Sequence, residues 1–219
     1  MFAGRRPATT ETKIEKQERF YKGKHHPKIH PYKSSAGTLR FSLGYNSEGR
    51  KKMTETAEEY KARFAGYVGA KDVIAMQREA PQTLARLIAG VAESELKRRP
   101  GPGKWSVTEI VAHLAEDELT SSWRYRQMLE YENPGLPGFD QDLWAKLGEY
   151  AVWNLEEALA MFRLLREANL RLFAGLTEQQ WERGGVHAER GKMTVRGLCR
   201  HMAAHDINHI EQVRRILGR

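Results

Sequence analysis

The sequence predicts an all-α fold, a four-helix bundle with a short extra N-terminal helix and a disordered basic N-terminal extension. Three observations lead there. Four long segments repeat apolar residues at helical spacing, no stretch shows the period-2 alternation of a half-buried strand, and Pro/Gly runs or capping signals fall between the segments. Amphipathic helices must bury their stripes, and without strands they can bury them only against each other.

Taken in order, a short helix is expected over about Ala57–Tyr67, ended by Gly66 and Gly69. A first long helix spans Val73–Leu96, with Leu84, Leu87, Ile88 and Val91 on one face. The run Pro100-Gly101-Pro102-Gly103 forbids helix. Ser106-Val107-Thr108-Glu109 is a capping box that opens a second helix running to about Tyr131. A loop from Glu132 to Tyr150, holding two Pro-Gly pairs and Phe139–Trp144, is long for a helix connection, and such loops tend to carry function. A third helix covers Leu155–Leu176 and a last one runs from Thr194 to Leu217.

The last helix carries the most specific chemical signal. His201, His205 and His209 recur every four residues, so they share a face, and two imidazoles so spaced can grip one divalent cation if a third ligand arrives from elsewhere. At helical pitch His205 and His209 fall on the apolar stripe of Leu198, Met202 and Ile216, while His201 falls at its edge. On the second helix, His113, Asp117 and Arg124 form a polar ridge beside the apolar face, and Glu118 points inward, where an ionised carboxylate needs a cation or hydrogen-bond partner. Glu116 reads as a solvated acid.

The segment Lys104-Trp105-Ser106-Val107-Thr108-Glu109-Ile110-Val111-Ala112-His113-Leu114, joined to the late His205-Asp206-Ile207-Asn208-His209-Ile210, resembles the DinB-like superfamily of metal-dependent four-helix-bundle proteins. That superfamily includes the YfiT-type proteins and bacterial thiol-dependent S-transferases. The resemblance covers about residues 54–217. It implies a bundle fold and a metal triad carried by His113, His205 and His209. It also implies zinc or nickel as the metal, a low-molecular-weight thiol as a candidate cofactor, and homodimers as a candidate assembly. Three neutral imidazoles leave a coordination position open, which is the arrangement of catalytic sites.

The expected function is therefore a metal-dependent enzyme acting on a small molecule, of thiol S-transferase or hydrolase type. The alternative is a non-catalytic metal- or ligand-binding bundle of the stress response. Asp117 and Glu118 are candidates to orient an imidazole or serve as general base. Arg124 and Arg126 are candidates to hold an anionic thiol, the Phe139–Trp144 loop is a candidate for lining the cleft, and His187 is a candidate for its mouth. Trp105 reads as a hydrophobic staple, the tryptophans Trp123, Trp144, Trp153 and Trp181 as core or loop anchors, and Cys199 as a small buried apolar residue.

Charge narrows the partners. Of the 36 Lys and Arg and 28 Asp and Glu in 219 residues, residues 1–52 hold 13 basic and 4 acidic, so 53–219 is close to neutral. The net +8 thus belongs to a basic extension, not to the 53–219 bundle domain, and nucleic acid is not an expected partner. The extension is poor in large aliphatics and is expected to be disordered, a leader without a function of its own. No stretch approaches the roughly 18 apolar residues of a membrane span. The lone cysteine excludes an internal disulfide, and a cytoplasmic protein is expected.

Overall fold

Each long helix begins where the sequence supplies a cap. In a computed structural model that describes residues 56–219, α1 (Ala57–Val68) starts at a Thr56/Glu59 capping box and α2 (Val73–Ile88) at Asp72, whose carboxylate accepts from Ile74 and Ala75 N–H. The expected box at Ser106 opens α4 (Val107–Glu130), with Glu109 accepting from Ser106 N–H at 2.8 Å and Ser106 Oγ accepting in return from Glu109 N–H at 3.3 Å. Asn154 caps α6 (Leu155–Ala174), and Thr194 caps α8 (Val195–Leu217), which stops at Gly218 in the left-handed conformation. The basic extension, with its expected disorder, lies outside the described residues.

α2, α4, α6 and α8 are the four bundle helices, and α1 lies along α8. Leu84, Val107, Ile110, Leu114, Phe162, Ile210 and Val213 fill one half of the core, and Tyr125, Met128, Phe173, Leu198 and Met202 the other. The first long helix is shorter than its expected extent. It ends at Ile88 because Gly90, at φ +72°, breaks it, and a separate turn of helix, α3 (Glu93–Leu96), follows.

Pro81 sits within α2 and cannot donate to the carbonyl four residues back, that of Gln77. Arg166 of α6 takes that carbonyl with Nη1 at 2.8 Å. Its other donors grip Glu118 of α4 at 2.9 and 2.8 Å and Asp206 of α8 at 2.6 and 3.2 Å. Fully buried, Arg166 ties its own helix to the other three with every N–H used. Asn169 completes the cluster, donating to Glu118 and Ser122 Oγ at 2.7 Å each.

The absence of strands is overturned. β1 (Gly135–Leu136) pairs in parallel with β2 (Gly184–His187), and β2 pairs antiparallel with β3 (Gly191–Thr194). A side chain on Gly184 would meet Met193 O, and one on Gly185 would meet Pro134 O, each at 2.6 Å, so the glycine pair lets three backbones close together. The long loop also holds helix: α5 (Gln141–Leu147) and a 3-10 turn at Tyr150–Val152, while α7 (Glu178–Trp181) precedes β2. No helix among the described residues is long and apolar enough to cross a membrane.

Candidate metal centre

His113 comes from α4 and His205 and His209 from α8. His113 meets His205, and eight residues further along α4 Ser121 donates to Met202 Sδ at 3.1 Å, three residues earlier on α8, so the two helices run antiparallel. His205 Nε2 lies 3.2 Å from Nε2 of His113 and 3.2 Å from Nε2 of His209, and one ligand atom of each lies within 4.8 Å of the others. Zinc–nitrogen bonds of about 2.0–2.1 Å at tetrahedral angles place neighbouring nitrogens about 3.3–3.4 Å apart, close to the spacing here.

The outer nitrogens decide what these contacts are. His209 Nδ1 faces Gln212 Oε1 at 3.0 Å, and Asp117 Oδ2 lies 3.4 Å from His205 Nδ1, close enough to attract an N–H dipole although no hydrogen bond is made. Both neighbours are acceptors, so they favour the proton on Nδ1 of His205 and His209 and leave the Nε2 lone pairs of these two directed at one another. Lone pairs at 3.2 Å repel unless a cation lies between them. His113 Nδ1 is buried without a hydrogen-bond partner, and the Trp105 ring packs 4.9 Å from the imidazole.

Burial keeps all three histidines neutral. It is the first cause in each case, aided for His113 and His205 by the neighbouring imidazoles, and it pushes His113 and His205 well below the usual range and His209 to about 4. Burial raises Asp117 to about 6 against the pull of Arg124 and Arg190. Three unprotonated imidazoles and an ionisable carboxylate fit a divalent cation with one position left for water or substrate.

Other expected site residues are distributed differently. Glu118 is inward, as its position on the wheel predicts, but Arg166 and Asn169 take its oxygens, so it is a core ion-pair partner and not a base at the histidines. Arg126 is exposed and bonds Ser122 O at 2.8 Å and Asn169 Oδ1 at 3.3 Å, off the histidine face. Arg124 remains on the ridge, with Nη2 donating to Pro137 O at 2.7 Å and the Phe139 ring of the long loop 5.7 Å away. His201 stacks on Phe64 of α1 at 5.1 Å, outside the triad, and His187 is a buried residue of β2.

Glu116 is not a solvated acid, since Tyr150, a buried residue of the long loop, donates its hydroxyl to it. Trp105 is more than a staple, because it covers His113. Trp123 is 45% exposed and anchors no core. Gln212 went unpredicted, although its place one turn after His209 was the available signal.

A family model described as the DinB superfamily matches residues 77–213, well over half of the chain. A Bacillus subtilis protein named "Putative metal-dependent hydrolase YfiT" is 28% identical over 165 residues, 73% of this chain and 93% of its own length. "Putative metal-dependent hydrolase OB0413" of Oceanobacillus iheyensis is 26% identical over 131 residues, 60% of this chain and 75% of its own. The solved structure of Bacillus subtilis YfiT, described as a probable metal-dependent hydrolase with an unusual four-helix bundle topology, superimposes with a TM-score of 0.62. It covers 78% of this chain and 94% of its own at 23% identity, and it establishes the bundle fold.

Proposed function

This chain belongs to the DinB superfamily, and from that premise we propose that it is a divalent-metal-dependent enzyme of hydrolase type acting on a small molecule. The observation that carries the proposal is the convergence of the Nε2 atoms of three buried, neutral imidazoles, with an acceptor facing the outer nitrogen of His205 and of His209. His113, His205 and His209 would hold the metal, and imidazole donors suit zinc or nickel. When bound, such an ion polarises a carbonyl or phosphoryl oxygen and acidifies the water beside it.

The chain's own groups do the rest. Gln212 holds the His209 tautomer through Nδ1, and the Asp117 carboxylate facing Nδ1 of His205 favours the same tautomer there. Asp117, raised to about 6, is ionised at neutral pH yet basic enough to take a proton from an attacking water, which makes it the general base of this reading. Trp105 closes the His113 side and keeps bulk water away from it.

The named relatives support hydrolysis. A second reading, S-transfer from a low-molecular-weight thiol, is favoured by the buried Arg124 on the ridge of His113 and Asp117. A buried, ionisable carboxylate 3.4 Å from His205 favours either chemistry over a non-catalytic binding role.

Elemental analysis of the purified protein beside His113→Ala and His205→Ala tests the centre. About one divalent ion per chain is expected in the wild type and a loss of at least tenfold in each variant. Equally low metal in all three under metal-replete conditions would overturn it. Amide and ester hydrolysis, run in parallel with thiol conjugation on the metal-loaded protein, then separates the two chemistries.

A further inference from the structure

The ridge of α4 continues past the metal centre. Arg124 lies eleven residues beyond His113 on the same face, about 16 Å further along the axis, and its charge acts on Asp117, which sits between them on that face. Arg124 is 5% exposed. The Pro137 carbonyl takes Nη2 at 2.7 Å and the Phe139 ring lies 5.7 Å away, yet Nε is buried with no hydrogen-bond partner. A guanidinium stays charged at any physiological pH, so a buried N–H left unused on one is costly unless something else comes to take it.

The turn of the β2–β3 hairpin lies against the same stretch of loop, since Glu189 packs on Gly138, the neighbour of the Pro137 whose carbonyl Arg124 holds, and Arg190 follows Glu189 as a second cation. Arg190 sits in that turn, next to Gly191 at φ +73°, and has no ion pair within 4.0 Å among the described residues. Its charge and that of Arg124 bear together on Asp117, His187 and His201. Two carboxylates are nearby. Asp117 lies toward the histidines, and Glu189 packs against the backbone of Gly138, but neither comes within ion-pair distance of Arg124. Of the other titratable groups there, burial keeps Tyr125 and His201 neutral, and His187 is buried and held neutral, its Nδ1 accepting from Glu189 N–H at 3.2 Å.

We infer that Arg124 and Arg190 form an oxyanion subsite, so that the substrate of the neighbouring metal centre carries a carboxylate or phosphate several bonds away from the bond that reacts. The buried, unused Nε supplies a directed donor and Arg190 supplies a second charge from the hairpin. An oxyanion can accept from both guanidiniums at once. The subsite deepens the metal-enzyme reading and uses its geometry, with the reacting end of the substrate at the histidines and its anionic end at the hairpin.

The test titrates inorganic phosphate and, separately, acetate into zinc-free and zinc-loaded full-length protein by calorimetry, for wild type, Arg124→Gln and Arg190→Ala. In the zinc-free wild type at least one of the two anions is expected to bind, with affinity reduced tenfold or more in each variant and zinc content unchanged. The anion that shows this dependence identifies the group carried by the substrate. Equal binding by wild type and variants, or binding seen only with zinc present and indifferent to both arginines, overturns the subsite. Arg190 is exposed in a turn, so Arg190→Ala decides the matter even if Arg124→Gln fails to fold. A wild type that takes up no zinc overturns the metal centre instead, and the zinc-free titration still judges the subsite by itself.

Discussion

Asp117 is the residue whose ionisation sets how the centre responds to pH. Burial lifts its carboxyl to about 6, and only the ionised form can accept a proton, so turnover is expected to rise as pH increases through about 6 and then to level. Asp117→Asn is expected to lower kcat by about 10²–10⁴ and to flatten that rise while zinc stays bound. A pH–rate profile with an unmoved lower limb in the variant would assign the limb to another group. At this scale the sequence was most legible where one helix carried the whole signal. His205 and His209 share a face of α8, and periodicity alone finds them. His113 needed a second motif, because its partners lie on another helix. Glu118 faces inward as expected but was given the wrong task, and Arg126 the wrong surroundings, since helical position gives a direction from the axis but not which group waits there. The core guanidinium that meets Glu118 comes from α6, 48 residues away.

Among the elements, α6 has a role that its leucine-rich pattern conceals. Arg166 joins it to α2, α4 and α8, the last two of which carry the histidines, and the carbonyl it takes on α2 is one that Pro81 leaves free. Arg166→Met leaves Glu118 and Asp206 buried without their cation, and is expected to destabilise the fold by about 3–5 kcal/mol. Urea denaturation checks this, and an unchanged midpoint would show that the carboxylates find another partner. The long helices were readable because capping residues and apolar stripes are local. The small sheet was not, since two- and four-residue strands are too short for alternation to register, and only Gly184-Gly185 hints at close backbones.

For the whole molecule, acid should loosen the metal-free fold. An unfolded histidine takes up its proton near pH 6.5, whereas burial holds His113, His187, His201, His205 and His209 below that in the folded state. As pH falls below 6.5 the unfolded chain binds more protons, and stability drops by up to about 1.4 kcal/mol per pH unit for each fully buried histidine. Asp117 and Asp206 oppose this. Burial raises each to about 6, so between 6 and 4 the folded chain takes up their protons first. The histidines are more numerous and their loss prevails. A lower urea midpoint at pH 5 than at pH 7 is expected in the presence of chelator, and equal midpoints would refute it.

Cys199 gives this molecule a built-in gauge of its own opening. It is the sequence's one thiol, fully buried, its sulfur accepting from Gln77 Nε2 at 3.1 Å and its ionisation pushed up to about 12 by burial. Thiol reagents attack the thiolate, so labelling must wait until the bundle parts and Cys199 meets water. Comparing the labelling rate with that of an unfolded peptide thiol therefore reads the fraction of time the core spends open. A ligand that binds only the closed bundle slows labelling by the factor 1 + [L]/Kd, so zinc titrated against the rate would yield its affinity for the three histidines without any substrate being known.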